Sequence, residues 1–208
     1  MFSSRSRAGR WLLGMCLFLL AVSQTAYASD PVAKVVDPIA SPNDARDYRA
    51  LTLDNGLEIL LVSDPEADEA AAAMNVDVGS SDDPDATPGL AHFLEHMLFL
   101  GTDRYPEADA YQNFISAHGG DHNAFTASRD TNYYFDIEPT ALPEALDRFS
   151  RFFVAPRFNP EYVERERNAV HSEYQARLRD DGRRINEATD RALNPEHPAT
   201  RFAVGSLE

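Results

Sequence analysis

The hydrophobic and polar residues on the two sides of Asn55-Gly56 have a strand-like pattern. Residues 51–64 read LTLDNGLEILLVSD, with strand-forming residues on both sides of Asn55-Gly56. Because Asn-Gly is the strongest short hairpin signal, we expect two antiparallel strands joined by a tight turn there. The stretch from Ala71 to Ser80 predicts the next strand, and SDDPDATP after it predicts a loop.

Two helices are expected in the next part of the chain. The first contains GLAHFLEHMLFLGT, with Thr87 as its N-cap, Pro88 at its first position and Gly101 at its end. The second runs from about Pro106 to His118 and is stopped by the two glycines at 119 and 120. Both therefore lie between two groups of strands.

More strands and helices follow. Residues 122–138, HNAFTASRDTNYYFDIE, predict two strands around a turn near Asp130. A third helix is expected from Ala141 to Phe153, and a long charged helix from about Pro160 to Arg179. The third helix has one apolar face, formed by Leu142, Leu146, Phe149, Phe152 and Phe153. This order favours an α+β or mixed α/β fold over a regular βαβ alternation.

Residues 1–28 have the pattern of a secretory signal peptide. Three arginines precede an apolar run from Trp11 to Val22, and AYA at 26–28 offers a small-x-small cleavage site. The alternative is a membrane anchor, but the run is too short to span comfortably. We therefore expect export, to the periplasm of a Gram-negative bacterium, with no stable membrane anchor after cleavage.

The remaining chain divides into an arm and a domain. Residues 29–48 are polar and contain prolines, and they predict an N-terminal arm. Residues 49–208 form the predicted folded domain. Its last residues, FAVGSLE, contain no evident closing element, so we expect the domain to be incomplete at its C-terminus.

Composition narrows the candidate chemistry. The formal net charge of −15 and the pI of about 4.7 argue against nucleic acid as a partner, because phosphate binding needs a basic surface. Cys16 is the only cysteine and lies in the predicted signal peptide. The mature chain would then have no disulfide and no thiolate ligand, so nitrogen and oxygen atoms must hold any metal ion.

The first predicted helix carries a candidate metal-binding motif. His92 and His96 are four residues apart, which places both imidazoles on one helix face. Glu95 projects near the same face and can reach a metal-bound water without being a ligand. Because zinc lowers the pKa of such a water to about 7, a neighbouring carboxylate can accept its proton.

A third ligand is expected from another element, since catalytic zinc usually has three protein ligands. Glu166 and Glu173 lie two turns apart on one face of the charged helix, with Ala169 and Val170 between them. This face suits inward-pointing ligands. Charge runs on helices are mostly solvated faces, however, so spacing alone leaves both glutamates open.

Several blocks of sequence resemble the pitrilysin and insulin-degrading-enzyme family of zinc metallopeptidases, whose members carry the inverzincin motif H-x-x-E-H. The blocks occur in the family's order and are GLAHFLEHMLFLGTDRYP, HGGDHNAFTA, TNYYFDIE, ALDRFSRFF and ERERNAVHSE. The resemblance covers roughly residues 48–208. It implies the family's N-terminal catalytic domain, an α+β fold with a mixed, mainly antiparallel sheet packed against helices.

The resemblance also implies roles for particular residues. One Zn²⁺ would be held by His92, His96 and Glu173, with Glu95 as the general base. Glu166 matches an acidic residue that supports the site. The other four histidines, which match no ligand position, are expected in core, capping or surface roles: His118, His122, His171 and His197.

Substrate and partner are implied in the same way. The NAFTA block matches an edge strand that binds peptide backbone, so Asn123, Ala124 and Phe125 are candidate substrate contacts; the alternative for Asn123 is a turn residue. Substrates would be peptides or small unfolded proteins. A homologous C-terminal half or partner chain would be needed for full activity.

Two other functions compete with a peptidase. A truncated or non-catalytic relative would retain the fold as a binding or scaffold module, although such subunits lose the ligand set that is complete here. A lyase of the S-ribosylhomocysteine type also uses H-x-x-E-H. That class is cytosolic and uses a cysteine, so the predicted signal peptide and the cysteine-free mature chain argue against it.

Overall fold

The computed structural model describes residues 32–200 and 202–207. The predicted signal peptide lies outside these residues. The chain separates into two compact units, with the division between Pro65 and Glu66. No helix within the described ranges is both long and apolar enough to cross a membrane.

The first unit contains a three-stranded antiparallel sheet. Its strands are β1 (Val32–Val36), β2 (Asp47–Leu53) and β3 (Glu58–Ser63), in the order β1-β2-β3. The predicted hairpin at Asn55-Gly56 is confirmed, since β2 pairs with β3 and Gly56 has the left-handed φ of 88° that the turn requires. The predicted N-terminal arm contributes β1, which its polar and proline-containing composition did not predict.

The second unit contains a second antiparallel sheet. Its strands are β4 (Ala70–Val76), β5 (His122–Thr126) and β6 (Thr131–Ile137), in the order β4-β6-β5. The strands predicted around Ala71 and Asp130 are therefore confirmed. Within the described sheet β5 is an edge strand, because it pairs only with β6.

Five α-helices belong to the second unit. They are α1 (Leu90–Leu98), α2 (Ala110–Ala117), α3 (Leu142–Val154), α4 (Pro160–Arg177) and α5 (Asp181–Asp190). The first four were predicted, although α2 begins four residues later than expected. Helix α5 was not predicted, because its residues are mostly polar and include none that is buried. Together with the two sheets, the helices confirm the α+β class.

The start of α1 differs from the prediction. Thr87 is not the N-cap and Pro88 is not the first helical residue, because the helix begins at Leu90 after Gly89. The buried carboxylate of Asp83 instead accepts hydrogen bonds from the backbone N–H groups of Gly89 (2.7 Å) and Ala91 (2.8 Å). A carboxylate from the preceding loop thus satisfies the N–H groups that a local cap would otherwise bind.

The core of the second unit lies between its sheet and helices α2 and α3. Alternate residues of β6 are buried, and Phe135 and Ile137 are almost completely enclosed. Phe149 and Phe152 of α3 pack against them, as the apolar face predicted. Leu146 is the exception, since 42% of it is exposed. This core supports the strands and helices that carry the candidate site.

Candidate metal centre

Helix α1 presents two imidazoles one turn apart. The ring centroids of His92 and His96 lie 4.9 Å apart, with their planes perpendicular. The opposite side of the helix is fixed by buried apolar residues, including Met97 and Leu98. Because the helix is held in this way, both imidazoles are directed toward α4.

Helix α4 brings a carboxylate to the two rings. Glu173 Oε1 lies 3.5 Å from His96 Nε2, and Glu173 Oε2 lies 3.8 Å from His92 Nε2. Val170, one turn earlier on the same helix, is buried and keeps this face turned inward. Among the described residues, His92, His96 and Glu173 are the one group of three whose ligand atoms could hold a metal ion, all within 4.8 Å of one another.

The second nitrogen of each ring has a different partner. His92 Nδ1 lies 2.7 Å from the carbonyl oxygen of Val204, and His96 Nδ1 lies 3.4 Å from Glu166 Oε2. Carbonyl and carboxylate oxygens only accept hydrogen bonds, so each Nδ1 is the donor, and a neutral ring with this tautomer has its lone pair on Nε2. Glu166 also accepts a hydrogen bond from Arg165 Nε at 3.0 Å.

The three ligand atoms fit a metal ion. Two unprotonated Nε2 atoms and a carboxylate have no donor among them, so a cation between them would stabilise their approach. In a tetrahedral site with bonds of about 2.0–2.2 Å, neighbouring ligand atoms lie about 3.3–3.6 Å apart. The shortest separations from the two Nε2 atoms to the Glu173 carboxylate, 3.5 Å to Oε1 and 3.8 Å to Oε2, are close to this spacing, and one ligand atom from each of the three residues lies within 4.8 Å of the others. Hydrogen bonds from the non-ligating ring nitrogens to a carbonyl and a carboxylate are also typical of metal-binding histidines.

Glu95 lies beside this group but is not part of it. Only 8% of the residue is exposed, and its Oε2 accepts a hydrogen bond of 2.6 Å from the hydroxyl of Thr126. Burial of Tyr133 raises the pKa of its hydroxyl, and the charge of Glu95 raises it further. Thr126 therefore orients a nearly enclosed carboxylate. No local sequence pattern marks this threonine, although it is part of the NAFTA block.

The site opens into a cleft of about 640 Å³ that also reaches β5. Asn123, Ala124 and Phe125 line the cleft, and Phe125 is 49% exposed. The β5–β6 register and the bond from Ala127 N to Asp130 O place the backbone N–H and C=O of Ala124 on the unpaired edge. Asn123 Oδ1 accepts a hydrogen bond from that Ala124 N–H at 2.9 Å.

The remaining histidines lie outside the candidate ligand group. His118 ends α2 and its Nδ1 bonds to the carbonyl of Phe114, while His171 Nδ1 accepts a hydrogen bond from the backbone N–H of Leu207. His122 lines the cleft, and burial lowers its pKa. His197 N donates to Asn194 O in a turn after α5.

The H-x-x-E-H helix, the facing carboxylate and the adjoining edge strand define a site of the inverzincin metallopeptidase class. Comparison with known sequences supports the same class of protein. The sequence model of the insulinase family, peptidase family M16, matches residues 58–196. The chain belongs to this family, so the resemblance found in the sequence is confirmed.

Individual relatives support the same assignment. Insulin-degrading enzyme-like 2 of Arabidopsis thaliana is 45% identical over 89% of this chain, and human insulin-degrading enzyme is 46% identical over 80%. Protease 3 of Shigella flexneri is 40% identical over 95%. A crystal structure of pitrilysin superimposes with a TM-score of 0.79 at 44% identity, covering 84% of this chain and 19% of that one. The chain spans about a fifth of the length of these relatives, from 16% to 21% of the three enzymes.

Proposed function

We propose that this chain is the zinc-binding N-terminal domain of an exported endopeptidase that cleaves peptides with a metal-activated water. The observation that carries the proposal is the convergence of His92, His96 and Glu173 beside the enclosed carboxylate of Glu95. When bound, zinc would supply Lewis acidity and lower the pKa of a coordinated water to about 7. Oxygen and nitrogen ligands without thiolate are consistent with that metal.

The protein's own groups supply the proton transfers. Glu95 accepts a proton from the attacking water and delivers it to the leaving amine as the peptide bond breaks. The hydroxyl of Thr126 holds the carboxylate in place during both transfers. Glu166 and the carbonyl of Val204 hold the two rings through their Nδ1 atoms. The residues around the reacting groups are thus oriented before a substrate arrives.

Peptides would bind as an added strand along β5. The main-chain N–H and C=O of Ala124 face the open edge and can pair with an extended peptide, which gives affinity with little dependence on sequence. Asn123 would exchange its own bond to the Ala124 N–H for a bond to the peptide. Phe125, exposed in the cleft, supplies an apolar contact.

The proposal also concerns where the protein acts and which further domain or chain it needs. The signal-peptide pattern of residues 1–28 supports export to the periplasm, whereas one relative is named as peroxisomal. The chain spans about a fifth of its relatives' length. We propose that a homologous C-terminal half or a partner chain adds the remaining walls of the substrate-binding cleft.

Glu95→Gln tests the chemistry. The variant should bind zinc as the wild type does, because a base and not a ligand is changed. Its peptide-cleavage rate should fall by about 100-fold or more, the usual worth of general acid–base catalysis. Elemental analysis and a fluorogenic peptide assay measure the two effects. Glu107→Gln, at an exposed position that does not line the cleft, is the control and should change neither.

The outcomes of this test separate the alternatives. Cleavage by Glu95→Gln at the wild-type rate would refute the role of the base. Zinc binding without any cleavage by the wild type, even when the proposed C-terminal half or partner chain is present, would favour the metal-binding or scaffold alternative. A wild-type chain that fails to bind zinc would refute the metal centre itself.

A further inference from the structure

We propose that residues 202–207, which we call the strap, position the ring of His92 for metal binding. The strap touches both helices that carry the candidate ligands and supplies a carbonyl to one of them. This inference rests on the metal site of the proposed function. It adds a structural requirement that the ligand motif itself does not contain.

The contact with α1 depends on two glycines. His92 Nδ1 donates to Val204 O at 2.7 Å, and the next strap residue, Gly205, lies against Gly89. A Cβ atom on Gly89 would lie 2.5 Å from Gly205 Cα and 2.6 Å from its nitrogen. Both glycines have a left-handed φ, 89° and 90°. Backbone therefore packs directly on backbone, one turn before His92.

The contact with α4 uses residues on both sides of Glu173. The ring of Phe202 packs edge-on against Tyr174, with centroids 5.3 Å apart. The backbone N–H of Leu207 donates to His171 Nδ1 at 3.3 Å. Gly205 also lies close to the buried Val170, since a Cβ on the glycine would be 3.3 Å from Val170 Cγ1. The strap thus connects α4 side chains on both sides of Glu173 to the α1 residue that faces it.

The Val204 carbonyl does for His92 what Glu166 does for His96. Each acceptor fixes the ring orientation and keeps the proton on Nδ1, which leaves Nε2 free for a metal. Loss of such a partner typically lowers metal affinity about 10–100-fold. Val204 acts through its backbone carbonyl, so His92 loses its acceptor when the strap moves. His96 would lose its acceptor when the side chain of Glu166 is mutated.

Gly89→Ala tests the strap from the α1 side. The new methyl group would displace Gly205 and break the bond from His92 to Val204. We expect zinc affinity, measured by competition with a chromophoric chelator, to fall about 10–100-fold. Gly119→Ala is the matched control, because Gly119 also has a positive φ of 73° but no atom within 4 Å of an added Cβ. The control should retain wild-type zinc affinity.

Phe202→Ala tests the strap from the α4 side without altering α1. It should lower zinc affinity and change the visible absorption spectrum of the cobalt-substituted protein, which reports ligand geometry. Binding is reciprocal, so zinc added to the wild type should slow hydrogen exchange in residues 202–207. If Gly89→Ala fails to fold by circular dichroism, the Phe202 variant and the exchange measurement decide the question.

Each result has one meaning. Wild-type zinc affinity and an unchanged cobalt spectrum in the folded variants would overturn the strap proposal, as would an equal loss of affinity in Gly119→Ala. A wild-type chain that does not bind zinc would instead overturn the proposed function. The two failures are therefore distinguishable in one set of titrations.

Discussion

At the scale of single residues, the two nitrogens of each imidazole have separate tasks. Nε2 of His92 and of His96 faces Glu173, while each Nδ1 is held by an oxygen acceptor. Helical spacing predicted the pair of rings, whereas spacing left Glu166 and Glu173 of α4 open and the family resemblance implied their roles. Helical spacing could not predict Val204, which is 112 positions from His92, or Thr126, which is 31 positions from Glu95. Such partners depend on tertiary folding and leave no local pattern.

Glu173→Gln tests whether Glu173 is a ligand of the metal ion. The amide keeps the size of the side chain but loses the charge, so zinc content after dialysis should fall well below one ion per chain. Elemental analysis gives the measurement. Glu164→Gln removes a charge from the same helix at an exposed position and should leave the zinc content unchanged. Equal zinc in all three proteins would remove Glu173 from the ligand set.

At the scale of elements, local signals succeeded where the chain turns tightly or is rich in strand-forming residues. Asn55-Gly56 and the aromatic and β-branched residues of β6 are examples, and both strand pairs occur as predicted. The start of α1 was wrong because its capping group, Asp83, lies six residues before Gly89. Helix α5 was missed because no buried apolar stripe marks it.

The open edge of β5 gives a prediction for peptide binding. Ala124→Pro removes an N–H that points away from β6, so the strand pairing can persist, as proline is tolerated on sheet edges. The KM for peptides should rise several-fold while circular dichroism and zinc content stay close to wild type. Ala124→Ser, which keeps the N–H, should retain the wild-type KM. An unchanged KM in the proline variant would contradict strand addition at this position.

At the scale of the whole molecule, the pH dependence of stability follows from a half-buried histidine. Burial lowers the pKa of His122 below its ordinary 6.5, so the unfolded chain binds this proton more readily than the folded one. The contribution of His122 to stability is complete above pH 6.5 and is lost as the pH falls toward its folded pKa. We expect the metal-free protein to melt at a lower temperature at pH 5.5 than at pH 7.5.

His122→Gln identifies the group responsible for this change. The variant should show a smaller decrease in melting temperature between the two pH values, measured by calorimetry with a chelator present. The chelator matters because protonation of ligand histidines would otherwise release metal and add to the effect. A decrease as large as that of the wild type would assign the pH dependence to other groups.

The uncovered edge of β5 has a further consequence for the chain in solution. Within the described residues, no second strand pairs with the outer edge of β5; such an edge is a template for self-association, and the exposed ring of Phe125 adds an apolar surface beside it. The net charge of −15 opposes such pairing, because like-charged molecules repel one another. Salt weakens that repulsion. Concentrated protein would therefore stay monomeric best in dilute buffer, and a bound peptide would protect it by occupying the edge.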